Sequence, residues 1–409
     1  MEQILINAKL AQKELLNLTI DEKNLCLKKI SNCLKENIDK ILDANKIDII
    51  NAKENGLSEA MIDRLLLNEK RIINLANDID NIIALPNYVG NILEEIKRPN
   101  GLVIKKVSVP FGVIAVIFES RPNVCVDIAS LTLKTGNACV LKGGKEAINT
   151  NKALVEIMQN AISDIVDKNV ISLIIDTSRE VVNKLICMKE YVDLLIPRGG
   201  KGLIDYIVNN SKVPYIETGA GNCHLYIHSE ADLDMALRVA VNAKYQRPSV
   251  CNAIENILVD RKIATLFLPK LYDEFNKLGI EIRGCEKTCN IIDVKKATST
   301  DFYTEYNDYI VSIMVVDDID SAISHINQHS SKHSEAIITS DLEAKDKFFM
   351  QIDSACVYHN ASTRFTDGGC FGFGAEIGIS TAKLHARGPM GLREITTYKY
   401  IIEGNGEIR

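Results

Sequence analysis

The chain has 409 residues, 46% hydrophobic and 25% charged, with a formal net charge of −6. That length calls for two cores of ordinary size, and the composition excludes a largely disordered chain. The mildly acidic balance gives no footing for nucleic acid or an anionic membrane as partner.

The amino terminus, MEQILINAKLAQKELL, lacks a basic start followed by an unbroken apolar run. This argues against a secretion signal, and no apolar segment reaches bilayer-spanning length. To about residue 95 the pattern predicts helices. Leu27, Ile30, Leu34, Ile38, Ile41 and Leu42 recur at three- and four-residue steps as one stripe, and Thr19 with Glu22 is a capping box that starts this helix. Pro86 and Gly90 end the helical region. After Pro99-Asn100-Gly101, residues 102–108 read as an exposed or bridging strand with two lysines among branched apolar residues. Strands are then predicted at 113–118, 138–141, 170–175, 192–196 and 213–216. A helix at 151–165 carries Leu154, Ile157, Met158 and Ile162 on one face. Continuous apolar strands alternating with helices imply a parallel sheet covered on both sides. A second series begins near Cys223 and runs past Lys347, with a strand at 256–259, a helix at 263–278 and a strand at 310–316. The tail, 394–403, reads as a last strand. The expected fold class is α/β, two domains in series with parallel-rich sheets and some exchange of segments.

The eleven cysteines are odd in number, scattered and mostly set in apolar runs, which reads as reduced thiols in the cytoplasm. Cys251 differs in its setting, QRPSVCNA (246–253). A helical pattern over 231–245 precedes it, Pro248 stops that helix, and Cys251 falls on a turn whose backbone amides can stabilise a thiolate. Arg247 adds positive charge. A small buried thiol fits the same position, so both readings stand. Glu217 opens the glycine-rich turn of YIETGAG (215–221) at a strand end, suited to base catalysis or equally to capping a helix. Two further turns suit phosphate: Lys142-Gly143-Gly144-Lys145, and Pro197-Arg198-Gly199-Gly200-Lys201-Gly202. In each, a strand, a glycine turn and a helix start offer unpaired N–H groups to an anion. Neither is a GxGxxG pattern, and each also serves as a plain tight turn. Three patterns are set aside. Gly372-Phe373-Gly374 reads as a substrate-side or structural loop. Cys285 and Cys289 have no second pair and make no zinc site, and no other metal is expected. His325, His329 and His333, four residues apart, read as a solvated helix face.

VPFGVIAVIFESRPNV (109–124), KYQRPSVCNA around Cys251 and STAKLHARGPMGLREITTYKY (380–400) resemble the γ-glutamyl phosphate reductases. These form the proline-biosynthesis branch of the aldehyde dehydrogenase superfamily, and the resemblance covers essentially the whole chain. It implies NADPH-dependent reduction of L-glutamyl 5-phosphate to L-glutamate 5-semialdehyde, with phosphate released and a thioacyl intermediate on Cys251. The oxyanion hole would be the Cys251 N–H with segment 121–123, Asn123 being favoured as side-chain donor and Arg121 the alternative. Lys142 matches the lysine at the adenosine ribose, beside Gly143 and Gly144. Lys145 stands where NAD-using relatives often carry glutamate, and an ammonium there attracts a 2′-phosphate, so NADPH is expected over NADH. Gly199, Gly200 and Lys201 occupy the pyrophosphate-side loop, and Glu305 matches the glutamate at the nicotinamide ribose. Glu217 matches the superfamily's general base, although reduction of an acyl phosphate uses no water. On charge, Arg121, Arg247, Ser362, Thr363 and Arg364 are assigned to the substrate's phosphate and α-carboxylate. Cys370 departs from the family pattern, which usually has glutamate there.

By the same resemblance, residues 1–222 are a cofactor-binding domain with 95–110 contributing a bridging strand, 223–385 a catalytic domain, and 386–409 a bridging, oligomerisation segment. A homodimer or tetramer is expected, and the resemblance admits association with glutamate 5-kinase. Two rivals remain: an aldehyde dehydrogenase with another acyl donor, such as a coenzyme A thioester, and a non-catalytic partner that keeps the fold.

Overall fold

Thr19 starts a helix as its spacing predicts. Its hydroxyl accepts the Glu22 N–H at 3.3 Å, and the Glu22 carboxylate accepts the Thr19 N–H at 2.8 Å. The helix, Ile20–Glu36, buries Leu27, Ile30 and Leu34, but the predicted stripe does not stay on one helix. Ile41 belongs to the next, Ile38–Glu54. Asn37 separates them, its side-chain amide donating to the Cys33 carbonyl at 2.8 Å, a local bond that competes with the helical ladder. Glu2–Leu15, Glu59–Leu65 and Glu69–Ala84 complete this helical region.

The computed structural model describes residues 1–408, leaving aside the side chains of Ala60 and Lys201. The chain divides into two units. The first is Met1–Glu217, Gly372–Gly378 and Met390–Arg409, and the second is Thr218–Phe371 and Ile379–Pro389. The first contains β1 (Ile92–Lys97), β2 (Val103–Pro110), β3 (Val113–Phe118), β4 (Ala138–Lys142), β5 (Ile171–Leu173) and β6 (Leu194–Arg198). β5-β4-β3-β6 is a parallel sheet, and every residue of β3 is buried, which requires cover on both faces. The strand expected at 213–216 is absent. Pro214 has no N–H to give a ladder, and Tyr215 makes an isolated bridge to Leu195. Because β4 and β6 flank β3 on opposite sides, the chain order reverses there. The carboxyl ends of β3 and β6, at Glu119 and Gly199, therefore border a switch point.

In the same unit, β1, β2 and the C-terminal strand Thr396–Glu403 form an antiparallel arm. The predicted strands at 102–108 and 394–403 are both in it, whereas β1 lay partly inside the region expected to be helical. Ile92, Leu93, Tyr400 and Ile402 are exposed on this arm.

The second unit contains β7 (Cys223–Ile227), β8 (Ile254–Asp260), β9 (Glu281–Gly284), β10 (Lys295–Lys296), β11 (Ile310–Val316), β12 (Ser334–Ile338) and β13 (Cys356–His359). They form one sheet in the order β10-β9-β11-β8-β7-β12-β13, with every pairing parallel. Helices Leu233–Tyr245 and Arg261–Lys277 contribute to the core built on Leu225, Ile257, Phe267 and Phe275, and helices Ile319–His329 and Leu342–Gln351 to that built on Tyr226, Leu258, Ile337 and Phe348. No helix among the described residues is long and apolar enough to cross a membrane.

The histidines correct the expected solvated face. His325 and His333 are buried, and only His325 and His329 share a helix, stacked with ring centroids 4.0 Å apart. Phe302 packs edge-on against His325 at 5.3 Å, and the buried His224 lies beyond at 5.8 Å. Burial, with His224 and His329 nearby, pushes His325 down to about 3, and burial pushes His333 down to about 4. Both are neutral in the folded chain at pH 5, whereas unfolded histidines, near ~6.5, are protonated there. The unfolded state thus binds more protons, and stability falls as pH drops from about 6.5 toward 4. The melting temperature is expected to follow that slope, and His325→Leu to flatten it. A wild-type melting temperature constant over this window would contradict the account.

Candidate active site

Each unit carries its own group of candidate residues. In the second, helix Leu233–Tyr245 ends ahead of Pro248, and Cys251 lies half-exposed on the turn before β8. Gly221 packs against its backbone so closely that a Cβ there would stand 1.6 Å from the Cys251 carbonyl oxygen. That same carbonyl accepts the buried Cys223 thiol at 3.1 Å. The Gly221 N–H donates to Glu305 Oε1 at 2.7 Å, which brings Glu305 beside the cysteine turn, and the other Glu305 oxygen has no hydrogen-bond partner among the described residues.

Segment 362–364 is fastened to the same turn. Thr363 is fully buried, its hydroxyl donating to the Asn252 carbonyl at 2.7 Å, and Ser362 Oγ accepts the Arg364 N–H at 3.3 Å. These hydroxyls hold the turn that aims Arg364. Arg364 Nε donates to Gln246 Oε1 at 3.2 Å, and the charges of Arg247, Asp367, Cys251 and Cys370 all act on the guanidinium. Burial first and Arg247 second push its pKa down. Neither Arg247 nor Arg364 has a carboxylate at ion-pair distance among the described residues. Two guanidiniums without a carboxylate at ion-pair distance suit an anionic ligand.

In the first unit, Lys142 ends β4, buried, with its ammonium on the carbonyls of Gly143 and Thr177, each at 3.1 Å. Burial pushes its pKa down, while Glu146, Asp176 and Glu119 act to raise it. Lys145 is exposed and forms no ion pair among the described residues. Gly144 precedes the short 3-10 turn Lys145–Ala147. Gly199 and Gly200 lead into helix Lys201–Asn210, and the Lys201 side chain lies outside those described. Asn123 opens helix Asn123–Thr135, its side-chain amide donating to Asp127 at 2.9 Å. Burial pushes the Asp127 carboxyl up to about 7. Arg121 is half-buried just ahead of that helix, and Glu217 is half-buried where the unit ends, after a bridge and not after a strand.

Sequence reasoning missed two carboxylates. Glu119 Oε2 accepts the Gly200 N–H at 2.9 Å, and a Cβ on Gly199 would stand 2.5 Å from the same oxygen. Glu146 Oε1 accepts the N–H of Ser120 at 2.6 Å and its hydroxyl at 3.1 Å, and Ser120 has a φ of 47°, left-handed for a residue with a side chain. Glu119 follows β3 and Glu146 follows the first glycine turn, which is the one signal the sequence offered. Cys285 and Cys289 serve local hydrogen bonds, the latter donating to the Gly284 carbonyl at 3.3 Å. Gly372 and Gly374 both have positive φ, as a structural loop requires.

Residues 1–291 match the aldehyde dehydrogenase family. The γ-glutamyl phosphate reductase of Carboxydothermus hydrogenoformans is 54% identical over 404 residues, covering 98% of this chain and 97% of that protein. The crystal structure of γ-glutamyl phosphate reductase from Thermotoga maritima, 47% identical, superposes with a TM-score of 0.97 over 100% of this chain and 99% of that one. An acetylating aldehyde dehydrogenase from Geobacillus thermoglucosidasius shares the fold at 18% identity and a TM-score of 0.73, covering 100% and 97%.

Gly221→Ala tests the close approach. The added methyl must displace the Cys251 backbone, which is expected to cost about 1–3 kcal/mol and to change the rate at which iodoacetamide alkylates Cys251. Wild-type melting together with a wild-type alkylation rate would show that the contact constrains nothing.

Proposed function

The chain belongs to the aldehyde dehydrogenase family as an oxidoreductase of the γ-glutamyl phosphate reductase branch, and from that premise we propose its reaction in detail. It reduces L-glutamyl 5-phosphate with NADPH to L-glutamate 5-semialdehyde and phosphate in proline biosynthesis, through a thioester on Cys251. The observation that carries this reading is Cys251 on an open turn within the field of Arg247 and Arg364, neither of them paired with a carboxylate.

The Cys251 thiolate attacks the acyl carbon, and the carbon–oxygen bond to phosphate breaks as the carbon–sulfur bond forms. A thioester accepts hydride where a carboxylate resists it. The Cys251 N–H, with Asn123 as the favoured side-chain donor, stabilises charge on the reacting oxygen. Arg247 and Arg364 bind the substrate's phosphate and α-carboxylate, Arg121 adds to that charge, and Ser362 and Thr363 support Arg364. Collapse of the thiohemiacetal returns the thiol without water, so Glu217 has no hydrolytic task.

The chain's own residues fit a nicotinamide dinucleotide, which when bound supplies the hydride. The bare backbone at Gly199 and Gly200 sits at a helix start, where an N–H already receives an oxygen anion from Glu119. Lys142, Gly143, Gly144, Gly199, Gly200 and Lys201 would hold the phosphates and adenosine ribose, and Lys145 a 2′-phosphate. The unpartnered oxygen of Glu305 would take a ribose hydroxyl. The exposed apolar residues of the antiparallel arm support a homodimer or tetramer built through it. A biosynthetic reaction on a small charged substrate supports a cytoplasmic enzyme.

Oxidation of glutamate 5-semialdehyde with NADP⁺ is expected to require inorganic phosphate. A rate that needs coenzyme A instead would favour the rival acyl donor. Cys251→Ala is expected to lose roughly a thousandfold or more in kcat, and incubation with substrate but no dinucleotide to leave a glutamyl adduct on Cys251 by mass spectrometry. Full turnover by Cys251→Ala would end the thioester route. Lys145→Glu is expected to move the NADPH-to-NADH ratio of kcat/KM toward NADH by about tenfold, the equivalent of one charge-assisted hydrogen bond. An unchanged ratio would remove Lys145 from cofactor choice.

A further inference from the structure

Residues 246–253 form the loop that carries Cys251, between helix Leu233–Tyr245 and β8. One buried ion pair closes its neck, Lys244 Nζ lying 2.6 Å from Glu255 Oε2. The other oxygen of Glu255 accepts the Asn307 N–H at 3.2 Å. Asn307 has a φ of 54°, in the left-handed region, and lies two residues beyond Glu305. Glu305 in turn accepts the N–H of Gly221, the residue packed on the Cys251 carbonyl. Three neighbouring contacts run the same way. Asn256 donates to Asn222 at 2.8 Å, and the Asn222 amide donates to the Phe302 carbonyl at 2.9 Å. The rings of Tyr245 and Tyr309 lie 5.6 Å apart.

We infer that Glu255, paired with Lys244, is a positioning residue that holds the Cys251 loop and the Glu305 loop in one fixed register. Apolar side chains of similar volume would fill this space with equal or greater stability, because taking two charges out of water offsets most of their attraction. What they would lack is direction. One carboxylate has two oxygens, and here one holds the end of the helix that leads into the Cys251 loop and the other holds the Glu305 loop. The inference rests on Cys251 being the nucleophile.

The test compares the wild type with Glu255→Gln and with the double variant Lys244→Met/Glu255→Gln. The double variant leaves no unpaired buried charge, and both variants keep an oxygen for Asn307. Two readouts are needed: steady-state kinetics, and the alkylation rate of Cys251 by iodoacetamide relative to the exposed Cys187 of the same chain. In both variants kcat is expected to fall about tenfold to a hundredfold, with KM for the acyl phosphate changed by less than about threefold. Cys251 alkylation is expected to slow relative to Cys187, and the double variant to melt as the wild type does. A double variant with wild-type kcat and Cys251 alkylation would overturn the inference. So would one that no longer folds, since that assigns the pair to stability. The alkylation arm needs no turnover. It therefore decides the role of the pair even if the wild type fails to reduce the acyl phosphate, which would instead sink the proposed reaction.

Discussion

No side-chain atom fits between Gly221 and the carbonyl of Cys251, and the candidate chemistry of the second unit depends on that contact. The carbonyl, seated on bare backbone, cannot rotate outward without losing its hydrogen bond from Cys223. The Gly221 N–H, pointing away, fixes Glu305. One glycine thus relates a thiol and a carboxylate 54 residues apart through backbone groups alone, which are more rigid than any pair of long side chains. The surrounding polar side chains then serve to keep this backbone in place: Thr363 on Asn252, Asn222 on Phe302, and Glu255 on Asn307.

Electrostatics divide the two units in opposite senses. Beside the Cys251 turn neither Arg247 nor Arg364 has a carboxylate at ion-pair distance among the described residues, which suits an incoming anion. In the first unit the glycine turns already hold anions, since Glu119 takes the Gly200 N–H and Glu146 takes Ser120. Glu119 is exposed and can swing into water, leaving its donor to a phosphate oxygen. Glu146 is held by two bonds at a strained residue and is the more fixed of the two.

What could be read from the sequence follows from how local each signal is. The capping box at Thr19, the tail strand and 310–316 depend on neighbours in the chain, and they appear where expected. The blocks around Asn123 and Cys251 were legible as family motifs for the same reason. The helix break at Asn37 and the missing strand at Pro214 were legible too, had one side-chain amide and one absent N–H been weighed above the apolar pattern. The buried polar residues were not. His224 and Glu335 stand opposite each other on β7 and β12, 111 residues apart, and each makes its own strand look solvated when read alone. The His325 series failed likewise, because a histidine is apolar or charged according to what packs on it, and Phe302 and His224 come from elsewhere in the chain.

Cys370 brings these strands together. On the resemblance, a glutamate usually stands there, and the charge of Cys370 acts on Arg364. A carboxylate at that position would compensate Arg364 and reduce its attraction for a second anion. With a thiol there, Asp367 is the carboxylate that acts on the guanidinium, and it is already engaged in accepting the N–H groups of Gly369 and Cys370. On that resemblance, a thiol in place of the carboxylate would favour an anion at this loop over an ammonium. In the proposed substrate the α-amino group and the α-carboxylate share one carbon and the acyl phosphate lies at the other end, so the two ends of the molecule call for different charges. The turn at Cys251 depends on the phosphate end, because that end carries the acyl carbon that the sulfur must reach.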